Sequence, residues 1–208
     1  MIKTLIQRYP LLEVCQDAIV QAAQVMIQCY ENGNKILTCG NGGSCADADH
    51  IVGELMKGFL KKRPLTQEQK QAMRQRNPQL ESILAERLQQ GLPALSLCSL
   101  TALNTAFCND VDPALQYAQG LLGLGKEGDL LICISTSGNA ENVCAAAQVA
   151  KALGIFVIAL TGAKGGALKG IADICICVPE TETFKVQELH LPVYHFLCAE
   201  TEAHFFTT

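Results

Sequence analysis

Five short runs of apolar residues, at 35–39, 94–99, 130–134, 155–161 and 174–178, alternate with longer stretches in which apolar side chains recur every three or four positions. Short unbroken runs read as strands buried on both faces. The three-to-four spacing reads as helices with one apolar side. Helical spacing covers 11–32 and closes at Glu31-Asn32-Gly33, a C-cap sequence. It returns at 44 to about 59, 113–122, 140–153, 167–171 and 186 to about 205, where Pro192 predicts a bend or a late start. Residues 104–112 read as a loop or a short helix end. The alternation predicts an α/β, doubly wound domain with a mainly parallel five-stranded sheet flanked by helices. At 208 residues the chain reads as a single domain, 1–208.

Residues 61–92 break the rhythm. Lys61, Lys62, Arg63, Lys70, Arg74, Arg76 and Arg87 face only Glu68, Glu81 and Glu86, and Pro64 and Pro78 punctuate the segment. Leu80, Ile83, Leu84 and Leu88 form an apolar stripe. We read a basic helical insertion. It either packs on a protomer or serves as a lid over an anionic substrate.

A net charge of −4 argues against a nucleic-acid partner, and no apolar run reaches membrane-spanning length. The N-terminus lacks a signal-peptide core, so the chain reads as cytoplasmic. Eleven cysteines are many, but most stand inside apolar runs and no CxxC pair occurs, so they read as reduced core thiols. Cys45 stands apart. Its place at a helix start predicts a lowered thiol pKa.

Two polar turns follow apolar runs and open helices: Gly40-Asn41-Gly42-Gly43-Ser44, and Ser135-Thr136-Ser137-Gly138-Asn139. Glycines let the backbone turn and bring its N–H groups close to a ligand. Ser44 can cap its helix, and helix N-termini favour anions. Hydroxyls at Ser44, Ser135, Thr136 and Ser137 suit a phosphate ester. Neither turn is a GxGxxG or GxxxxGK[ST] sequence, which disfavours nicotinamide and P-loop chemistry. His50 and Glu54, four apart behind the first turn, share one helix face. They suit a divalent ion or acid–base work. His190 and His204 read as ordinary core or surface histidines.

Taken together, Cys-Gly-Asn-Gly-Gly-Ser, His50…Glu54, Asn109-Asp110, Ser135-Thr-Ser-Gly-Asn and Gln187-Glu-Leu-His…His195 resemble the phosphoheptose isomerase family of sugar isomerase (SIS) domain proteins. The resemblance covers nearly the whole chain apart from the basic insertion. It implies the SIS fold, a homotetramer, bound zinc, and isomerisation of sedoheptulose 7-phosphate to glycero-manno-heptose 7-phosphate for bacterial surface polysaccharide. It also implies metal ligands at His50, Glu54, Gln187 and His195, and an acid–base pair at Glu54 and His195. Substrate contacts fall on Asn41, Gly42, Gly43, Ser44, Glu54, Asn109, Asp110, Ser135, Thr136, Ser137 and Gln187.

Enediol chemistry fits these types: a carboxylate moves the carbon proton and an imidazole the oxygen proton. Gln187 and His195 are eight residues apart, about 12 Å along a straight helix. We therefore expect the two at any one ion to come from different protomers, with the site at a subunit interface. The chain departs from the family pattern at Ala140, where a serine is usual, and at Phe184, where an aspartate is. A family arginine aligns near Gly58, with Lys57 adjacent, and Lys61, Lys62 or Arg63 are candidates to replace lost phosphate contacts. The alternatives are a non-catalytic SIS protein that binds a sugar phosphate or a protein such as a replication initiator, and an isomerase of a different sugar phosphate.

Overall fold

The strands β1 (Ile36–Gly40), β2 (Ala94–Ser96), β3 (Leu130–Ile134), β4 (Phe156–Thr161) and β5 (Ile174–Cys177) form one parallel sheet in the order β2-β1-β3-β4-β5. The computed structural model describes residues 1–80 and 82–206, with only the backbone of Ser82 and Ile83. Glu81 and the Ile83 side chain of the proposed stripe lie outside what is described.

Both sheet faces are covered, which is why the strands are unbroken apolar runs. Ile36, Leu130, Ile132, Ile134, Ile158 and Leu160 pack with helices α2 (Gln16–Glu31), α3 (Gly43–Met56) and α10 (Thr183–Phe205). Leu37, Cys39, Leu131, Cys133, Val157 and Ala159 face α7 (Gln116–Leu124) and α8 (Glu141–Ala152). In this order the connections reverse between β1 and β3, so a crevice opens beyond the carboxyl ends of those strands. Both polar turns stand there.

Several boundaries differ from the sequence reading. A helix α1 spans Ile2–Arg8, and the helix expected over 11–32 is a 3-10 turn at Pro10–Cys15 followed by α2. Residues 104–112 are mostly the end of a helix, α6 (Thr101–Asp110). Helix α10 begins at Thr183, so it does not start late, and it runs on through Pro192. A proline inside a helix costs about 3 kcal/mol. Burial of Val186, Leu189, Val193, Tyr194 and Leu197 around it offsets that cost.

The basic insertion holds α4 (Gln67–Arg76) and α5 (Ser82–Arg87). Thr66 caps α4 in a reciprocal box with Gln69, and Lys70 bonds Glu86 at 2.6 Å. Leu84 and Leu88 are about half exposed. Arg63 is not available to a ligand, contrary to expectation. It is fully buried, its Nε donates to Glu202 Oε1 at 2.7 Å, and its Nη1 donates to the Leu55 carbonyl at 2.7 Å. Glu202 also accepts from the backbone N–H groups of Phe59, Leu60 and Lys61. Among the described residues no helix is long and apolar enough to cross a membrane.

Candidate active site

The first turn leaves β1 at Gly40. Gly42 takes a φ of +56° at the N-cap, and α3 starts at Gly43. Ser44 is therefore inside the helix, buried, and does not cap it. Its backbone N–H donates to the Asn41 carbonyl at 3.0 Å. Asn41 and Asn142 exchange side-chain hydrogen bonds, at 2.8 and 3.0 Å, which ties the first turn to the start of α8. The Tyr117 hydroxyl donates to the Gly40 carbonyl at 2.7 Å and lies 3.1 Å from Asn41 Oδ1. So Asn41 spends its amide on shaping the crevice. Sequence reasoning missed Asn142 and Tyr117, because neither belongs to a turn motif.

The second turn leaves β3. Ser135 is buried, and the Ser137 hydroxyl accepts from the Asn139 backbone at 3.1 Å. Gly138, at φ +68°, has no room for a Cβ, which would run into the Gly165 carbonyl. Thr136, Ser137 and Asn139 open onto a cleft of about 290 Å³ closed by Lys164, Glu180 and Thr181. Lys164 is the cation of that cleft. It carried no motif signal, since only the fold brings the loop after β4 beside the serine turn.

Helices α3 and α10 run side by side in the same direction. Gln187 lies over Gly43, where an added Cβ would collide with its Nε2. Seven residues further along each helix, His50 Nδ1 stands 3.0 Å from the Tyr194 hydroxyl. The offset between the helices is 144 residues at both places. This pairing puts Gln187 about 10 Å along α3 from His50, seven residues at 1.5 Å each.

At the far end of the pair, His50 Nε2 is 3.1 Å from Glu54 Oε1, and Lys57 Nζ donates to Glu54 Oε2 at 3.0 Å. A carboxylate only accepts, so the His50 nitrogen that faces Glu54, Nε2, is the donor of that pair. Tyr194 also lies 3.2 Å from Asp47 Oδ1, and burial raises the Asp47 carboxyl above its ordinary range. His195 packs edge-on against His50, ring centres 5.0 Å apart, and against Phe59. Its Nε2 is buried without a hydrogen-bond partner. Burial, and then the neighbouring His50, hold the His195 pKa below its usual value, against an opposing pull from Glu54. An apolar cleft of about 310 Å³ between α1 and α10 reaches this ring, lined by Leu5, Tyr9, Phe59 and Phe196.

The structure thus brings His50, Glu54 and His195 together and leaves Gln187 at the glycine turn. Two imidazoles, a carboxylate and an amide are donors a borderline divalent ion accepts, and the orphaned His195 Nε2 fits that role. Among the described residues no three His, Cys, Asp or Glu side chains converge closely enough to hold an ion within one chain. Asn109 and Asp110 bond each other at 2.8 Å on the exposed end of α6. Phe184, in place of the usual aspartate, is more than half exposed at the start of α10. Cys45 corrects a sequence expectation. Burial, with Cys98 and Asp49 nearby, pushes its thiol up to about 11, and this outweighs the helix start. His190 is fully buried with neither ring nitrogen bonded, while His204 pairs with Glu31 at 2.8 Å on the surface.

SIS-domain profiles match residues 10–92 and 99–199, and both segments contribute strands to the one sheet. The chain is 39% identical over 188 residues to the phosphoheptose isomerase of Aneurinibacillus thermoaerophilus, covering 90% of this chain and 82% of that protein. Against the phosphoheptose isomerase of Shewanella sp. strain ANA-3 it is 38% identical over 189 residues, 89% of this chain and 83% of the relative. The solved phosphoheptose isomerase of Neisseria gonorrhoeae superposes with a TM-score of 0.76 at 31% identity, over 97% of this chain and 94% of the other. That of Francisella tularensis gives 0.76 at 33%, over 96% and 93%. With the two turns, the His50–Glu54 pair and His195 placed as described, the chain belongs to the phosphoheptose isomerase family of SIS-domain proteins.

Proposed function

We propose that the chain is an aldose–ketose isomerase of the cytoplasm that interconverts sedoheptulose 7-phosphate and a heptose 7-phosphate aldose. What carries this reading is the Glu54 carboxylate, held by His50 and Lys57 beside the unpartnered imidazole of His195. Relatives named phosphoheptose isomerase, at 37–39% identity, support the substrate.

Glu54 takes a proton from C1 of the ketose, and the electrons form the C1–C2 double bond of an enediol. His195 supplies a proton to the carbonyl oxygen. Glu54 then returns its proton to C2 while His195 recovers one from the oxygen on C1, which leaves the aldose. Burial keeps His195 neutral near pH 7, so it has one nitrogen to give a proton and one to take it. Thr136, Ser137 and Lys164 bind and orient the phosphate. Lys164 and the serine-turn amides substitute for the hydroxyl that Ala140 lacks.

A divalent ion between protomers, with its ligands drawn from His50, Glu54, Gln187 and His195 of neighbouring chains, would polarise the carbonyl. His50 would then carry its proton on Nδ1 and donate it to Tyr194, which donates to Asp47, leaving Nε2 free. The site is taken to lie between protomers of a homotetramer, because Gln187 and His195 are eight residues apart on one helix, about 12 Å along its axis, and so reach one ion from different chains.

A coupled assay across ketose phosphates of five to seven carbons tests this directly. Turnover greatest with sedoheptulose 7-phosphate supports it. Binding without turnover of any of them would place the chain among the non-catalytic sugar-phosphate binders.

A further inference from the structure

The cleft beside the second turn holds two opposite charges that do not meet. Lys164 and Glu180 both line this space of about 290 Å³, and among the described residues neither forms an ion pair. Backbone hydrogen bonds set their places. The Gly162 N–H donates to the Thr136 carbonyl at 3.0 Å and the Ala163 N–H to the Glu180 carbonyl at 2.8 Å, which ties the loop after β4 to both neighbouring loops. The Glu180 N–H donates to the Val178 carbonyl at 2.8 Å around Pro179, a three-residue turn that starts the Glu180 side chain from a fixed point. Lys164 only donates. The Ser137 hydroxyl accepts from the Asn139 N–H at 3.1 Å, so its own hydrogen turns elsewhere. The Asn139 amide is spent, donating to the Ser137 carbonyl at 3.1 Å and accepting from the Ala167 N–H at 2.9 Å. Glu180 is the carboxylate of this lining, and a carboxylate only accepts.

We propose that Glu180 is a specificity-determining residue, accepting a hydrogen bond from the substrate hydroxyl on the carbon next to the phosphate-bearing one, C6 of the heptulose. Lys164 and the serine turn hold the phosphate itself, so the assignment rests on the reading of this cleft as the phosphate site. A carboxylate is a misfit in a cleft that serves phosphate alone, because it repels the anion at short range. It suits a phosphate ester with a hydrogen-bond donor close to the ester. The ligand then bridges the two charges, its phosphate on Lys164 and its hydroxyl on Glu180. A site built to pair with a hydroxyl rejects the analogue that lacks it, since the carboxylate loses water and gains no donor in return. The same carboxylate disfavours a ligand that brings a second negative charge to that place, such as pyrophosphate. C6 is four carbons from C2, so Glu180 selects and orients the substrate and moves no proton.

The test measures binding to the purified protein by isothermal titration with three probes. Glycerol 3-phosphate has a hydroxyl beside its ester carbon, propyl phosphate lacks it, and pyrophosphate carries the second charge. The parent should bind glycerol 3-phosphate about tenfold or more tighter than propyl phosphate, and pyrophosphate most weakly. Glu180→Ser should bring the two esters close to equal and tighten pyrophosphate binding about tenfold, a gain that a poorly folded variant cannot show. Glu180→Gln, whose amide oxygen still accepts, should keep part of the preference for glycerol 3-phosphate. Lys164→Ala should weaken both esters alike. The same ester preference in Glu180→Ser as in the parent, with both esters still bound, overturns the role of Glu180 and leaves the phosphate cleft standing. Ester binding unchanged in Lys164→Ala, or none in the parent, overturns the cleft and the role of Glu180 with it.

Discussion

Gln187 lies across Gly43, its amide where the Cβ of any other residue would stand. This contact joins the C-terminal helix to the glycine turn. Gly43→Ala gains helix propensity of up to about 1 kcal/mol. The displaced atom is the tip of a flexible side chain. We expect a melting temperature equal to or above that of the parent, with turnover reduced about tenfold or more. Equal activity in the variant would remove Gln187 from the site.

In a site shared between protomers, the two variants Glu54→Gln and Gln187→Ala damage contributions from different chains. Each alone should be nearly inactive. Co-expressed in one oligomer, they should regain about a quarter of the sites, those with both intact contributions. No recovery in mixed oligomers would put both residues of a working site in one chain.

His190 gives the fold a pH dependence with a definite sign. Burial lowers its pKa to about 4, while the Thr161 backbone opposes this without reaching hydrogen-bond geometry. The unfolded chain therefore binds the proton first, and stability falls as pH drops below about 6.5 toward 4. Between pH 8 and pH 5 the loss from this residue is about 2 kcal/mol. Urea unfolding of the parent and of His190→Leu at both pH values measures it. The variant should show a flatter profile, with a remaining slope from His195, which is shifted the same way.

Arg63 and Glu202 form a buried pair that anchors residues 59–61 through three backbone N–H groups. Glu202→Ala strands a buried guanidinium and should cost about 3–5 kcal/mol. Arg63→Met/Glu202→Gln should recover part of that, since the amide still accepts from the backbone. Denaturant midpoints at pH 7 measure both.

The sheet was legible because its strands are unbroken apolar runs, and β3 begins and ends where the sequence places it, at Leu130 and Ile134. The two turns were legible because glycine and serine cluster there. Helix α10 was harder. Its proline signals a bend or a late start, but burial on nearly all sides lets the helix begin at Thr183 and run through it. Arg63 was misread for a related reason. A basic residue in a basic run looks solvated, and its partner Glu202 is 139 positions away. Cys45 shows the same limit, because the helix start is visible in sequence and the desolvation that defeats it is not. Lys164 and Tyr194 carry no pattern at all. They matter through neighbours contributed by other elements.

The role of Glu54 is open to a single measurement. Purified protein and Glu54→Gln are each incubated with sedoheptulose 7-phosphate, and the anomeric proton of the aldose product is followed by NMR. The carboxylate that moves the carbon proton is worth about 10²–10⁴ in rate. We predict that the aldose signal grows with the parent protein and at least a hundredfold more slowly with Glu54→Gln. Equal rates in the two, or no aldose from the parent, would contradict the account.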